Sequence, residues 1–284
     1  MPKRTHIHKF VDWALAEDIG ISDITTDIFV PKNMTSTAFI VTHQKATFVG
    51  FGIVKEVFQK LDPNAKVEAF FKDGDTVKAE TKIIKITGKT RALLTGERVA
   101  LNFLNHLSAI ATNTTTFIEK IKPYKIQIVD TRKTTPGFRV LEKWAVRCAK
   151  GVNHRLNLSE MVLIKDNHHL VTRPKMSLHE MIELAKRKTK KPICIEVENL
   201  KDFKDVYDAH SDIILLDNMN IAQIRKAVLF AKKSKISHKP MLEVSGGVNL
   251  KRIRSIAKAG IKRVSIGALT HTKKGINISM ELKV

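Results

Sequence analysis

From about residue 110 onward the chain alternates between short apolar runs and amphipathic helical patterns, and this beat restricts the fold more than any other feature. The apolar runs end at Val129, Ile164, Val197, Leu216, Val244 and Ile266. Helical patterns separate them over residues 138–149, 178–188, 202–210, 221–232 and 250–259. Short strands joined by helices in this way run parallel, because each crossover returns the chain to the same end of the sheet. Six strands are too few for the usual eight-stranded closed barrel. The choice between an open sheet and a barrel turns on the residue after each run: Asp130, Lys165, Glu198, Asp217, Ser245 and Gly267, all polar except the glycine. A barrel brings every such residue to one mouth, whereas an open sheet gathers only those near its switch point. The expected architecture is therefore a barrel with missing units, its gap covered within a larger assembly.

The segment 130–139, Asp-Thr-Arg-Lys-Thr-Thr-Pro-Gly-Phe-Arg, leaves the first of these strand ends as a long loop, since Pro136-Gly137 opposes a helix start. It carries Arg132, Lys133 and Arg139 beside the hydroxyls of Thr131, Thr134 and Thr135, a donor set suited to a phosphate or carboxylate. Taken alone, it reads equally well as a solvated basic loop. The theme returns at Asn153-His154-Arg155 and at Lys165, so cations from separate strands point to one face.

Residues 1–109 lack the regular beat. A helix is expected over 6–17, a structured loop over 18–27, strands over 37–42, 67–71 and 83–87, and helices over 53–61 and 90–107, with a turn at Asp73-Gly74-Asp75. This irregular order suggests an α+β unit. With 284 residues and 43% hydrophobic content, the chain has material for a large core or for two domains. The balance of 50 Lys and Arg against 28 Asp and Glu makes the surface attractive to anions of any kind. The cations are spread along the chain and only 6% of residues are aromatic, which argues against a nucleic-acid partner. Cys148 and Cys194 lie in no metal or redox spacing, so a reducing cytoplasm is the expected home. No signal core and no run of about 18 apolar residues occurs, and no membrane partner is expected.

Carboxylates close two of the strands, in Glu196-Val197-Glu198 and at Asp217. Alternation places Glu196 and Glu198 on one side, where they hold ribose hydroxyls or a magnesium ion, or else form ion pairs within a basic protein. Ser245-Gly246-Gly247 and Ile266-Gly267-Ala268 are glycine turns after the last two strands, the position of a phosphate site in a barrel. His154 is a candidate acid, base or donor to a carboxylate, though one histidine among 11 is a weak signal by itself. Cys148 reads as a packing thiol.

Taken jointly, these motifs resemble the quinolinate phosphoribosyltransferase family, a type II phosphoribosyltransferase-like group, over nearly the whole length. The resemblance runs through Glu17-Asp18-Ile19-Gly20, Asp23-Ile24-Thr25-Thr26, Gly96-Glu97-Arg98, Leu101-Asn102 and residues 131–137. It continues through His154-Arg155, residues 163–168, 196–198, 216–218, 245–247 and 267–271. It implies an N-terminal α/β sandwich of residues 1–109, joined by the tail 270–284, and an incomplete six-stranded α/β barrel of residues 110–269 that carries the active site. It further implies a homodimer with shared active sites, with dimer against hexamer left open. In that picture Arg132, His154, Arg155 and Lys165 hold the two carboxylates of quinolinate, joined by Arg98 of the other subunit. Lys133, Glu196, Asp217 and the glycine turns Ser245, Gly246, Gly247, Ile266, Gly267 and Ala268 hold phosphoribosyl pyrophosphate, and Thr131 is a further implied substrate-binding residue. Its Mg²⁺ would be held by Glu196 and Asp217, and Lys133, Lys165, Glu196 and Asp217 are the implied catalytic residues. The implied reaction is carboxylating phosphoribosyl transfer in NAD synthesis.

Two departures stand out: Ala149-Lys150-Gly151 where many relatives have a glycine cluster, and Cys194 where many have glutamate. Lys150 is either an added cation near the acceptor or a solvated side chain. A related transferase using another acceptor such as nicotinate, and a basic nucleic-acid-binding module, are the alternative functions.

Overall fold

The structure, a computed structural model, describes residues 2–172 and 175–283. It divides into two compact units, the first comprising residues 1–115, 140–150 and 273–284 and the second residues 116–139 and 151–272.

The first unit opens with α1 (Arg4–Ile19) and α2 (Ile24–Phe29), followed by β1 (Thr35–Thr42), β2 (Ala46–Thr47) and α3 (Phe51–Leu61). Strands β3 (Lys66–Ala69), β4 (Thr76–Val77) and β5 (Thr81–Lys89) lead into α4 (Thr90–Lys120). Its main sheet has the order β12-β1-β5-β3, with β12 (Ile278–Lys283) and both other neighbours antiparallel, so the chain's tail closes one edge of a sheet begun by residue 35. Ile40, Ile84 and Ile86 of the sheet, and Ile53, Val57, Phe58, Leu93, Leu104 and Leu107 of the helices, are fully buried, as alternation and helical spacing require. The expected loop over 18–27 is in part a helix. Asp23 accepts the Thr26 N–H at 3.0 Å and caps α2, and the Thr95 hydroxyl donates to its other oxygen at 2.8 Å. Helix α4 also runs past its expected end at Leu107: Ile110, Ala111, Thr114 and Phe117 continue its buried face, and the Thr114 hydroxyl is satisfied by the Ile110 carbonyl at 2.8 Å.

In the remainder of the chain β6 (Gln127–Val129) leads into α5 (Arg139–Cys148), whose residues 140–148 pack with the first unit. Then come β7 (Val162–Ile164), α6 (Asp166–Thr172), α7 (Leu178–Lys188), β8 (Ile193–Val197), α8 (Leu200–Val206), β9 (Ile213–Asp217) and α9 (Ile221–Lys233). The series ends with β10 (Met241–Ser245), α10 (Ile253–Lys258), β11 (Arg263–Ser265) and α11 (Ala268–His271). Helices α7 and α9 begin with capping boxes, Ser177 with Glu180 and Asn220 with Gln223.

All six strands of the second unit pair in parallel, in the order β6-β11-β10-β9-β8-β7. Sequence neighbours are spatial neighbours except at one place. The first strand pairs with the last, as in a barrel, while the ladder between β6 and β7 is missing. The free edge of β6 is covered by Val152, whose N–H donates to the Ile128 carbonyl at 2.8 Å and whose carbonyl accepts from Asp130 N–H at 3.1 Å. This is an incomplete α/β barrel with one open seam.

Candidate active site

The carboxyl ends of these strands surround a cavity of about 640 Å³ within the second unit. Its lining contains every residue singled out for substrate binding except Arg98, which is exposed on α4 in the first unit. Three polar members of the lining had no binding role assigned from the sequence: Ser265, and Asn218 and His271, which fall within the motifs that carry the resemblance. Asn218 adjoins a strand-end aspartate and adopts a left-handed φ of 52°, and His271 closes the motif begun by Gly267, so both had a local signal.

Asp130 organises one side. It is fully buried, and its carboxylate accepts the His154 N–H at 2.8 Å and the Asn153 side-chain amide at 2.5 Å, which ties the 153–155 segment to the end of β6. The Arg155 N–H donates to His154 Nδ1 at 2.8 Å. Because Nδ1 is an acceptor there, the neutral ring carries its proton on Nε2, which lies 3.8 Å from the buried Glu243 Oε1.

Arg155 Nη1 donates to the Met161 carbonyl at 3.0 Å, whereas the Nε groups of Arg155 and Arg132 are buried without a hydrogen-bond partner among the described residues. Burial lowers the Arg155 pKa, and the nearby Arg132 charge lowers it further. Two adjacent guanidiniums with unused inner N–H groups form an electrostatic void shaped for anions. Arg139 has a different task. Its side chain donates to the Thr134 hydroxyl at 3.0 Å and to the Leu156 carbonyl at 3.2 Å, holding the loop. The Thr270 hydroxyl donates to the Lys133 carbonyl at 2.6 Å, and the Thr131 hydroxyl accepts the Lys133 N–H at 3.1 Å, so the Lys133 backbone is pinned while its side chain is exposed.

Across the mouth, Lys165 Nζ bonds Glu196 Oε2 at 3.0 Å. Burial raises the Glu196 pKa, Lys165 opposes the rise, and the adjacent Asp217 adds to it. Asp217 accepts the Asn218 side-chain amide at 2.7 Å. Glu198 is not in this lining; it lies just past the end of β8 and lines an adjoining hollow together with Glu196, Asp166 and Asp202. No group of three or more His, Cys, Asp or Glu able to hold a metal occurs among the described residues. The oxygen pair of Glu196 and Asp217 nonetheless fits Mg²⁺, which takes one or two carboxylates and completes its shell with substrate phosphates and water.

The glycine turns close the remaining arc. Gly246 has φ of 80°, and a Cβ there would sit 2.2 Å from Asn218 Oδ1. At Gly267 a Cβ would come within 2.9 Å of the Lys133 side chain. Helices α10 and α11 have only six and four residues, so the donors on this arc are turn N–H groups. Lys150, at the end of α5, is exposed in the first unit with φ of 67° and is not part of the lining.

A barrel mouth that sets several cations and turn N–H groups against a pair of carboxylates defines an enzyme for highly anionic substrates, of the kind in which a phosphorylated sugar is one reactant. The signature of the quinolinate phosphoribosyl transferase C-terminal domain matches residues 110–281, and that of the N-terminal domain matches residues 23–108. The chain belongs to the quinolinate phosphoribosyltransferase family. It is 36% identical over 278 residues to the Bacillus subtilis protein called "Probable nicotinate-nucleotide pyrophosphorylase (carboxylating)", covering 97% of this chain and 93% of that one. A tobacco quinolinate phosphoribosyltransferase (decarboxylating) is 32% identical over 287 residues, covering 96% and 81%. The solved nicotinate-nucleotide pyrophosphorylase of Francisella tularensis superposes with a TM-score of 0.93 at 35% identity, covering 100% of this chain and 98% of that one.

Proposed function

We propose that the protein transfers the phosphoribosyl group of phosphoribosyl pyrophosphate to the ring nitrogen of quinolinate, releasing pyrophosphate and carbon dioxide and forming nicotinate mononucleotide for NAD synthesis. The observation that carries this reading is the pair of buried Nε groups on Arg132 and Arg155 that have no hydrogen-bond partner among the described residues, in one cavity with Lys165. Two guanidiniums and an ammonium suit an acceptor with two carboxylates better than one with a single carboxylate such as nicotinate, because each unused buried donor costs free energy until it is paired.

As pyrophosphate departs, positive charge develops on the ribose, and Glu196 and Asp217 stabilise it or fix the ribose hydroxyls. The pyridine lone pair forms the bond to the anomeric carbon, and the ring nitrogen becomes cationic. The bond from C2 to its carboxylate then breaks, the electron pair stays at C2 beside that cation, and C2 takes up a proton. Lys133 and the turns at 245–247 and 266–268 hold the donor's phosphates. Mg²⁺, when bound with the donor through Glu196 and Asp217, supplies charge neutralisation to the leaving pyrophosphate.

The same reading includes a homodimer in which Arg98 of one subunit completes the other's site. An exposed apolar group on the first unit, Trp13, Ile21, Ile24, Ile28 and Phe29, supports a covered surface there. The thiols of Cys148 and Cys194 are free, which suits the cytoplasm. Among the described residues no helix is long and apolar enough to cross a membrane. The test is release of pyrophosphate and carbon dioxide from quinolinate and phosphoribosyl pyrophosphate, run beside nicotinate. Turnover of nicotinate at equal efficiency, or no pyrophosphate release with quinolinate, overturns the reading.

A further inference from the structure

The turn after β10 has an unusual support. Arg252, half-buried at the start of α10, directs its guanidinium back under the loops: Nη1 donates to the Gly247 carbonyl at 3.2 Å and more weakly to the Gly246 carbonyl at 3.5 Å, and Nη2 donates to the Met219 carbonyl at 3.2 Å. One side chain thus gathers carbonyls from the loops that leave two adjacent strands, β9 and β10. Its own backbone is fixed by Asn249, whose side-chain oxygen accepts the Arg252 N–H at 3.0 Å.

A trans peptide points its N–H opposite to its C=O. The sole cis bond among the described residues is Lys122–Pro123. Holding the Gly246 and Gly247 carbonyls toward Arg252 therefore turns the N–H groups of Gly247 and Val248 the other way. Gly246, Gly247 and Val248 all line the cavity, and neither of these two N–H groups donates a hydrogen bond among the described residues. Gly247 itself has φ of 56°, and a Cβ there would lie 3.1 Å from Arg252 Nη1, so the turn leaves room for the guanidinium.

We infer that Arg252 is a positioning residue for the phosphorylated donor: by clamping the carbonyls of Met219, Gly246 and Gly247 it pre-aims two backbone N–H groups at the donor's phosphate oxygens. The inference rests on the reading of the cavity as a phosphoribosyl pyrophosphate site. Preorganisation of this kind removes the ordering cost that a free glycine turn carries into binding. The effect belongs to the geometry of the guanidinium, since an ammonium cannot span three carbonyls from one fixed plane.

The test uses the full-length protein and two variants, Arg252→Met and Arg252→Lys, with inorganic pyrophosphate titrated calorimetrically and donor and acceptor KM measured separately. Both variants are expected to bind pyrophosphate about tenfold more weakly and to raise the donor KM about as much, the loss of roughly one charge-assisted hydrogen bond. Quinolinate KM and the thermal midpoint should stay near wild type. Unchanged pyrophosphate affinity in Arg252→Met, or full affinity in Arg252→Lys, overturns the inference; should Arg252→Met fail to fold, Arg252→Lys decides alone. Failure of the wild-type protein itself to bind pyrophosphate or turn over would instead overturn the reading of the cavity.

Discussion

Replacing Lys165 with methionine keeps most of the side chain's volume and removes its charge. In the wild type, Lys165 Nζ lies 3.0 Å from Glu196 Oε2; the glutamate side chain is 7% exposed and the lysine 46%. In the proposed site Lys165 also faces a carboxylate of the acceptor, and truncating one partner of a hydrogen-bonded charge pair across such a binding interface costs about 2 to 5 kcal/mol. With Lys165 half in solvent, the lower part of that range applies, about 2 to 3 kcal/mol, or a loss of about 30- to 150-fold in kcat/KM. The pH dependence makes the prediction more specific. Burial already holds the Glu196 pKa above its ordinary 4.5, with Lys165 opposing, so removing the lysine raises it further. A carboxylate with a raised folded-state pKa favours folding below its ordinary pKa and loses that contribution as pH rises through the folded value. Lys165→Met should therefore be less stable than wild type at pH 7, with the deficit shrinking as pH falls toward 4.5. The acid limb of its rate profile, followed by pyrophosphate release, should move to higher pH. A kcat/KM within about twofold of wild type, or an acid limb that stays in place, refutes the argument.

Lys150→Gly should stabilise the protein by about 1 kcal/mol in denaturant midpoint, because φ of 67° is strained for lysine, and should leave the quinolinate KM unchanged. Gly246→Ala forces a Cβ to 2.2 Å from Asn218 Oδ1 at φ of 80°, so donor binding should fail, with a stability loss of about 1 to 3 kcal/mol on chemical denaturation. For the shared-site dimer, refolding a mixture of Arg98→Ala and Lys133→Ala chains yields mixed dimers with one intact site in two; with half of all dimers mixed, roughly a quarter of wild-type activity should return. Verified mixed dimers without activity would exclude Arg98 acting across the interface.

What the sequence determined by itself is what depends on near neighbours along the chain. The parallel strands follow from periodicity, and the loop over 130–139 from Pro136-Gly137. Lys165 and Asp217 stand at strand ends because the apolar runs stop there. Much of the lining, from Arg132 to Gly267, was legible for the same reason, since a parallel barrel sends every strand end to one mouth. Local signals do not mark where an element stops: Glu198 shares the parity of Glu196 but lies beyond β8, and it lines the hollow beside the cavity and not the cavity itself. Tertiary structure alone decided which strands meet. That β6 pairs with β11 and leaves its seam toward β7, and that β12 returns to β1, depends on the burial and backbone pairing of segments far apart in the chain, which no local period encodes. The same holds for the finer chemistry of the site. Asp130 clamping the His154 segment, Lys165 meeting Glu196 and Arg252 gathering three carbonyls are contacts between different loops, and their positions exist only once the sheet has brought those loops together.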